Sequence, residues 1–255
     1  MPLEAQQSRW IERARFNPLA SARLFCFPYV GGGSSIYRGW ADDRQGQLEI
    51  VPLELPGRDK RLWEKPYSRL PPLVEALADA LPQDKPFAFL GHSMGALVAF
   101  ELARELERRD LGLPCCLFVS GSSAPQIPLK TSPRHLLSDT ELLAELRNLG
   151  GTSEEILQDS EMMELFLPTI RADFALVETY QYVQSTALNC PIMVFHGDQD
   201  HESTREDALA WRLQTSSTFS LYTFRGDHFF LHSAKGAMLS LIKKAVSSNL
   251  GHVWP

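Results

Sequence analysis

The chain has 255 residues, enough for one α/β domain with a substantial core, and its 44% hydrophobic and 22% charged content is ordinary for a globular protein. A formal charge of −6 without a basic stripe argues against a nucleic-acid footprint. No run approaches ~18 consecutive apolar residues, which argues against a membrane span.

Residues 1–17 carry Glu4, Arg9, Glu12, Arg13 and Arg15 and lack the apolar centre of a signal peptide, so the cytoplasm is the expected compartment. A first strand is predicted over 24–29. It leads into Phe27-Pro28-Tyr29-Val30-Gly31-Gly32-Gly33-Ser34, whose glycines permit a tight bend that aims a backbone amide inward. Neither G-x-G-x-x-G nor G-x-x-x-x-G-K-[ST] is present, which argues against a nucleotide phosphate site. A strand over 49–55 and a helix over 70–81 follow. A third strand over 87–90 runs into Gly91-His92-Ser93-Met94-Gly95 and a helix over 96–109. This is Gly-x-Ser-x-Gly between a strand and a helix, the setting of a nucleophile elbow. The alternative, a glycine-rich turn with a serine cap, requires no acid or histidine further along.

Further strands are predicted over 115–120, 192–196 and 219–224, with helices over 203–213 and 233–247. Short apolar runs alternating with helices predict a doubly wound, mostly parallel α/β fold. The interval before the strand at 192 breaks the alternation. Stretches 136–149, 153–158, 160–167 and 170–182 all read as helical, with a capping signal at Thr152-Ser153-Glu154-Glu155. A helical lid over 125–189 within a single domain is expected, hinged among the prolines from Pro125 to Pro133. Leu142, Leu143, Leu146, Met162, Met163, Leu165, Phe166, Leu167, Phe174 and Leu176 are expected to pack it, with a few facing substrate. Cys26, Cys115, Cys116 and Cys190 read as buried thiols of a reducing compartment and show no metal spacing with histidine.

α/β-Hydrolases order their catalytic residues as Ser, then Asp or Glu, then His, each on a loop after a strand. After Ser93, one strand leads into His196-Gly197-Asp198-Gln199-Asp200 and a later one into Gly226-Asp227-His228-Phe229-Phe230. His228 is the expected base, with His232 as the alternative. Asp200 is the expected acid, with Asp198 as the alternative and Asp227 as a turn former. His92 is expected to shape the pocket beside the serine, His196 to be structural, and His135 and His201 to be loop or lid residues. The oxyanion donors are expected to be the amide of Met94 and one from the glycine loop, Val30 first, with Tyr29 or Gly31 as alternatives. Tyr29, His92 and Phe229 are expected to contact substrate.

These residues resemble a known family, the stand-alone (type II) thioesterases of polyketide and nonribosomal peptide synthesis. The likeness rests on Phe27-Pro28-Tyr29 with Gly31-Gly32, on Leu55-Pro56-Gly57-Arg58, and on the elbow. It extends through Leu137-Ser138-Asp139, Leu149-Gly150-Gly151-Thr152, Leu167-Pro168, Ile170-Arg171-Ala172-Asp173-Phe174, Glu178-Thr179-Tyr180 and Cys190-Pro191-Ile192 to the two loops bearing Asp200 and His228. Val30 departs from the small alanine usual there. The resemblance implies an α/β-hydrolase that removes misprimed or stalled acyl groups from the phosphopantetheine arm of acyl or peptidyl carrier proteins. It implies Ser93 as nucleophile, Asp200 as acid, His228 as base and the amides of Met94 and Val30 as oxyanion donors. No cofactor of its own and no metal are expected, and a monomer is expected. Arg58, Lys60, Arg61 and Lys65 are a candidate docking patch for an acidic carrier; a solvated loop is the alternative. An acyltransferase or small-ester hydrolase on the same fold, and a non-catalytic carrier-binding module, are the competing functions.

Overall fold

Six short apolar runs pair into one parallel sheet in the computed structural model, which describes residues 9–11, 17, 19–40, 47–130 and 132–253. In chain order the strands are β1 (Ala22–Phe27), β2 (Leu48–Pro52), β3 (Phe87–His92), β4 (Leu117–Ser120), β5 (Ile192–Gly197) and β6 (Phe219–Phe224). Across the sheet the order is β2-β1-β3-β4-β5-β6. β1, β3 and β4 are buried along their whole length, as a parallel sheet covered on both faces requires. β1 ends at Phe27, two residues before the predicted limit, because Pro28 has no amide to donate to a neighbour.

Alternation along the strands sorts side chains onto two faces. Phe25, Phe27, Val51 and Phe89 pack against α1 (Leu70–Ala80) and α2 (Met94–Arg108). Leu24, Cys26, Leu90 and Phe118 pack on the opposite face against Met238, Ile242 and Val246 of α7 (Lys235–Val253). All four cysteines are buried free thiols. The chain leaves β1 to form β2 on one side and returns to form β3 on the other, so winding reverses between β1 and β3. In open α/β sheets, ligands bind outside the carboxyl ends of the strands at such a point.

Between β4 and β5 lie α3 (Asp139–Leu149), α4 (Glu154–Gln158) and α5 (Ser160–Glu178). α3 starts later than predicted because Ser138 forms a reciprocal capping box with Glu141, and it stops at Gly150 in the left-handed conformation. The predicted break at Pro168 does not occur. α5 runs through it, and Leu167, Ile170 and Phe174 from both halves are buried in one cluster with Leu142, Leu146, Leu157 and Met163. That shared burial offsets the amide bond proline removes. α5 also ends before the predicted 182, with Thr179 Oγ1 donating to the carbonyl of Ala175 at 2.6 Å. Met162 is exposed, and Leu176 joins the main core instead of this cluster. The predicted helix over 203–213 divides into α6 (Arg205–Leu209) and a tighter turn over Ala210–Gln214.

Candidate active site

The elbow places Ser93 where β3 gives way to α2, at the sheet's reversal point. Its backbone sits at φ 54° and ψ −119°, a sparsely populated region held by its surroundings. The glycines around it are required by contact. A Cβ on Gly91 would fall 2.1 Å from the Gly95 carbonyl oxygen, and one on Gly95 would fall 2.2 Å from that of Phe27. The Ser93 amide donates to the Ser120 carbonyl at 2.8 Å, tying the elbow to β4. α2 begins at Met94, not at the predicted Ala96. The Met94 amide is therefore one of the first-turn donors with no acceptor within the helix, at its positive end.

Asp200 and His228 meet across two neighbouring loops. The Asp198 amide donates to Phe224 and the Gln199 amide to Gly226, each at 2.9 Å, so the loops after β5 and β6 are stitched together. Asp200 presents both carboxylate oxygens to His228 Nδ1 at 3.0 Å. Its side chain is fully buried and also accepts the amides of Glu202 at 2.9 Å and Ser203 at 3.3 Å. A carboxylate there fixes the Nδ1–H tautomer and leaves the Nε2 lone pair free. Asp198 accepts the Gly226 amide at 2.9 Å, and Asp227 that of Phe229 at 2.8 Å; both organise turns. His232, the alternative base, is exposed and lies 3.3 Å from the Tyr29 hydroxyl, while His228 is the histidine that Asp200 holds.

Ser93 and His228 line the same two cavities. One, of about 520 Å³, extends past Met94, Leu97, Ala124 and Ile127 to Val177 and Tyr180. The other, a recess of about 60 Å³, lies among Tyr29, Leu146, Phe174 and Phe229. The larger volume is within the ~300–1,000 Å³ typical of small-molecule pockets. Of the residues expected in the insertion's apolar lining, Phe174 reaches both cavities and Leu146 the recess.

His92 lines neither cavity. It is buried beneath them, with Nδ1 2.9 Å from Ser120 Oγ and its ring centroid 5.1 Å from that of His228. Burial, with His228 and His232 nearby, holds its pKa well below 6.5, so it supports the site as a neutral ring. Tyr29 and Phe229 pack edge to face at 5.1 Å. His196 is buried, His135 Nδ1 contacts Glu178 at 2.6 Å, and His201 lines the larger cavity.

The glycine loop is held from above. Gly31, at φ 72°, donates its amide to Asp173 Oδ2 on α5 at 2.8 Å. The Gly32 amide turns back to the Tyr29 carbonyl at 2.9 Å. Gly31 is thus committed elsewhere, leaving Val30 and Tyr29 as the candidate second donors. Val30 lines both cavities with Ser93.

The predicted docking patch is corrected by the same contacts. Arg58 is buried and gives Asp173 a bidentate pair of 2.7 Å bonds, with a further bond to the Gly32 carbonyl at 3.0 Å. Arg61 is buried as well, bonded to Glu64 and to the Glu54 carbonyl and stacked 4.4 Å over Trp10. Only Lys60 and Lys65 of that group lie at the surface. Sequence reasoning missed the role of Asp173. The available signal was a carboxylate between Ile170 and Phe174 on an apolar helix face, which demands a buried partner. Among the described residues no group of three His, Cys, Asp or Glu is arranged to hold a metal ion, and no helix is long and apolar enough to cross a membrane.

Comparison with known proteins gives a consistent result. A thioesterase domain model matches residues 22–246. The gramicidin S biosynthesis protein GrsT of Aneurinibacillus migulanus is 43% identical over 246 residues, covering 96% of each chain. The RedJ thioesterase from the prodiginine pathway of Streptomyces coelicolor is 39% identical with a TM-score of 0.83, covering 90% of this chain and 92% of its own. The type II thioesterase BorB from the borrelidin cluster is 37% identical with a TM-score of 0.84, covering 93% and 97%.

Proposed function

The chain belongs to the thioesterase-domain family, among the type II enzymes of polyketide and nonribosomal peptide pathways, and on that premise we propose that it edits loaded carrier proteins. Its substrate is an acyl thioester on the phosphopantetheine arm of an acyl or peptidyl carrier protein, and its products are the free acid and the free thiol. The observation that carries the reading is the pairing of His228 Nδ1 with buried Asp200 beside a cavity that Ser93 also lines.

The proposed chemistry follows from those groups. Ser93 Oγ attacks the thioester carbonyl while His228 Nε2 takes its proton. Asp200 stabilises the imidazolium. The developing oxyanion is met by the amides of Met94 and Val30. Collapse expels the thiolate, which takes the proton back from His228 and leaves the acyl group on Ser93 Oγ. Water then attacks this ester with His228 as base, and the acid leaves as Ser93 recovers its proton. The helices between β4 and β5 act as the lid, with Arg134 joined to Glu202 beside the Asp200 loop at 2.7 Å.

Intact-protein mass spectrometry of acetyl-loaded holo carrier protein tests this, using the wild type and Ser93→Ala. Wild type is expected to strip the acetyl group, and Ser93→Ala to lose the activity by many decades, on the order of 10⁶ as in subtilisin. A wild type that leaves carriers loaded while cleaving free esters would establish the small-ester hydrolase instead. A wild type unlabelled by fluorophosphonate would leave only a binding module.

A further inference from the structure

A second cavity, of about 1,070 Å³, is lined by none of Ser93, Asp200 and His228. It is an open groove between α1 and α2, crossed by the segment that follows α5. Leu70, Pro72 and Val74 form one wall, and Arg104 and Arg108 the other. Tyr180 is the single residue that lines both this groove and the 520 Å³ cavity beside Ser93. It is where the two adjoin.

The tyrosine is latched. The Tyr180 hydroxyl donates to Glu101 Oε1 on α2 at 2.7 Å, and Arg104 Nη1 donates to the same oxygen at 2.7 Å. Arg104 Nη2 reaches on to the Val183 carbonyl at 2.8 Å, and its guanidinium lies 5.7 Å from the Tyr182 ring. The strap carrying the tyrosine is therefore fastened to α2 at the ring and again just after it. Burial and the Glu101 carboxylate raise the phenol pKa, so it remains a donor throughout the working range.

We propose that Tyr180, latched to Glu101, is the end wall of the acyl cavity and fixes the longest acyl chain the enzyme accepts. This rests on the reading of the 520 Å³ cavity as the acyl site. An acyl group on Ser93 that ends short of the ring is accommodated. A longer one must displace the ring, break a hydrogen bond to a charged group and enter the groove beyond. Short-chain selectivity is then built into the wall and does not depend on the carrier.

The test is the chain-length profile of kcat/KM on saturated acyl-N-acetylcysteamine thioesters from acetyl to tetradecanoyl, for wild type, Tyr180→Ala and Tyr180→Leu. Wild type is expected to fall off sharply at one length. Opening the wall is expected to raise the long-to-short ratio ~10-fold or more, the scale of one to a few methylenes in a pocket. Val183→Ala, on the groove side of the strap, is expected to keep the wild-type profile. If both Tyr180 variants keep the wild-type profile while reacting with fluorophosphonate at the wild-type rate, the proposal is overturned. Tyr180→Leu serves if Tyr180→Ala does not fold. The matching series of p-nitrophenyl esters separates the two readings. Activity on esters but not on thioesters overturns the thioesterase reading alone, and the wall is then read from the ester profile.

Discussion

Asp173 holds the peptide of Gly31 in place: one carboxylate oxygen accepts its amide at 2.8 Å while both oxygens receive the Arg58 guanidinium at 2.7 Å. The pair is buried, and it joins α5 to the loop on which the second oxyanion donor is sought. Thr169, on the same helix, donates to the Gly57 carbonyl at 2.7 Å and fastens the Arg58 loop alongside. The position of Val30 is thus governed by a helix from the insertion between β4 and β5.

Asp173→Leu is expected to lower kcat on a small thioester about 10²-fold, because Gly31 loses its acceptor and roughly 1 Å of misplacement costs that much. It should also destabilise the fold by about 3–5 kcal/mol, because Arg58 is left buried and uncompensated. The double variant Arg58→Met with Asp173→Leu distinguishes the two effects. Stability measured by urea titration should largely return, since apolar replacement of a buried pair is often neutral. The kcat should stay low, because Gly31 has lost its acceptor.

The two aspartates after β5 should separate cleanly. Asp200→Asn is expected to reduce kcat about 10⁴-fold by favouring the wrong imidazole tautomer. Asp198→Asn retains a carbonyl oxygen for the Gly226 amide and is expected to remain near the wild-type rate. Steady-state kinetics with one thioester decides between them; comparable losses would mean the acid has been misassigned.

Arg61 and Lys60 are neighbours with unequal expectations. Arg61→Ala removes the bond to the Glu54 carbonyl at 2.8 Å, the Glu64 pair and the stacking on Trp10, and should cost about 1–3 kcal/mol. Lys60 is at the surface but lies 3.7 Å from the buried Glu54 carboxylate, so Lys60→Ala should cost less than Arg61→Ala, within about 1 kcal/mol. Thermal unfolding of the two variants checks this. Equal effects would return Arg61 to the docking patch.

His92 imposes a pH dependence on stability. Burial holds its pKa in the folded protein well below the usual 6.5. Below that pH the unfolded chain takes up a proton at His92 that the folded chain refuses. The contribution is therefore present above pH 6.5 and is lost as pH falls toward the folded value, with a slope of at most ~1.4 kcal/mol per pH unit. Urea titrations at about pH 7 and pH 5 should show a smaller loss for His92→Gln than for wild type. Parallel losses would mean that His92 takes up its proton in the fold.

Much of this was readable from local pattern. The strand–glycine–polar signatures put the candidates Ser93, Asp200 and His228 on loops after strands, and the fold sets them at the carboxyl ends of β3, β5 and β6. That Asp198 would organise the turn and Asp200 face His228 was also within reach, since the residue beside the glycine is the one positioned to bond the turn's amides. Arg58 and Arg61 were not readable. A guanidinium in a polar loop looks the same whether it faces solvent or a carboxylate 115 positions away in sequence, as Arg58 does with Asp173. Continuity of α5 through Pro168 was hidden for the same reason: local propensity favours a break, and only burial against α3 and α4 overrides it. The depth of His92 depended on which face of the sheet its ring would occupy.

α2 begins at the nucleophile and, a little over two turns later, carries Glu101, the anchor of Tyr180. At ~1.5 Å per residue these points stand roughly 12 Å apart on one rigid axis. The place where an acyl chain would be tethered and the place where it would have to stop are thus marks on a single ruler. Tyr180 itself rides on the insertion between β4 and β5, so loosening that strap would shift the far mark, while the near one, built into the start of α2, would stay where it is.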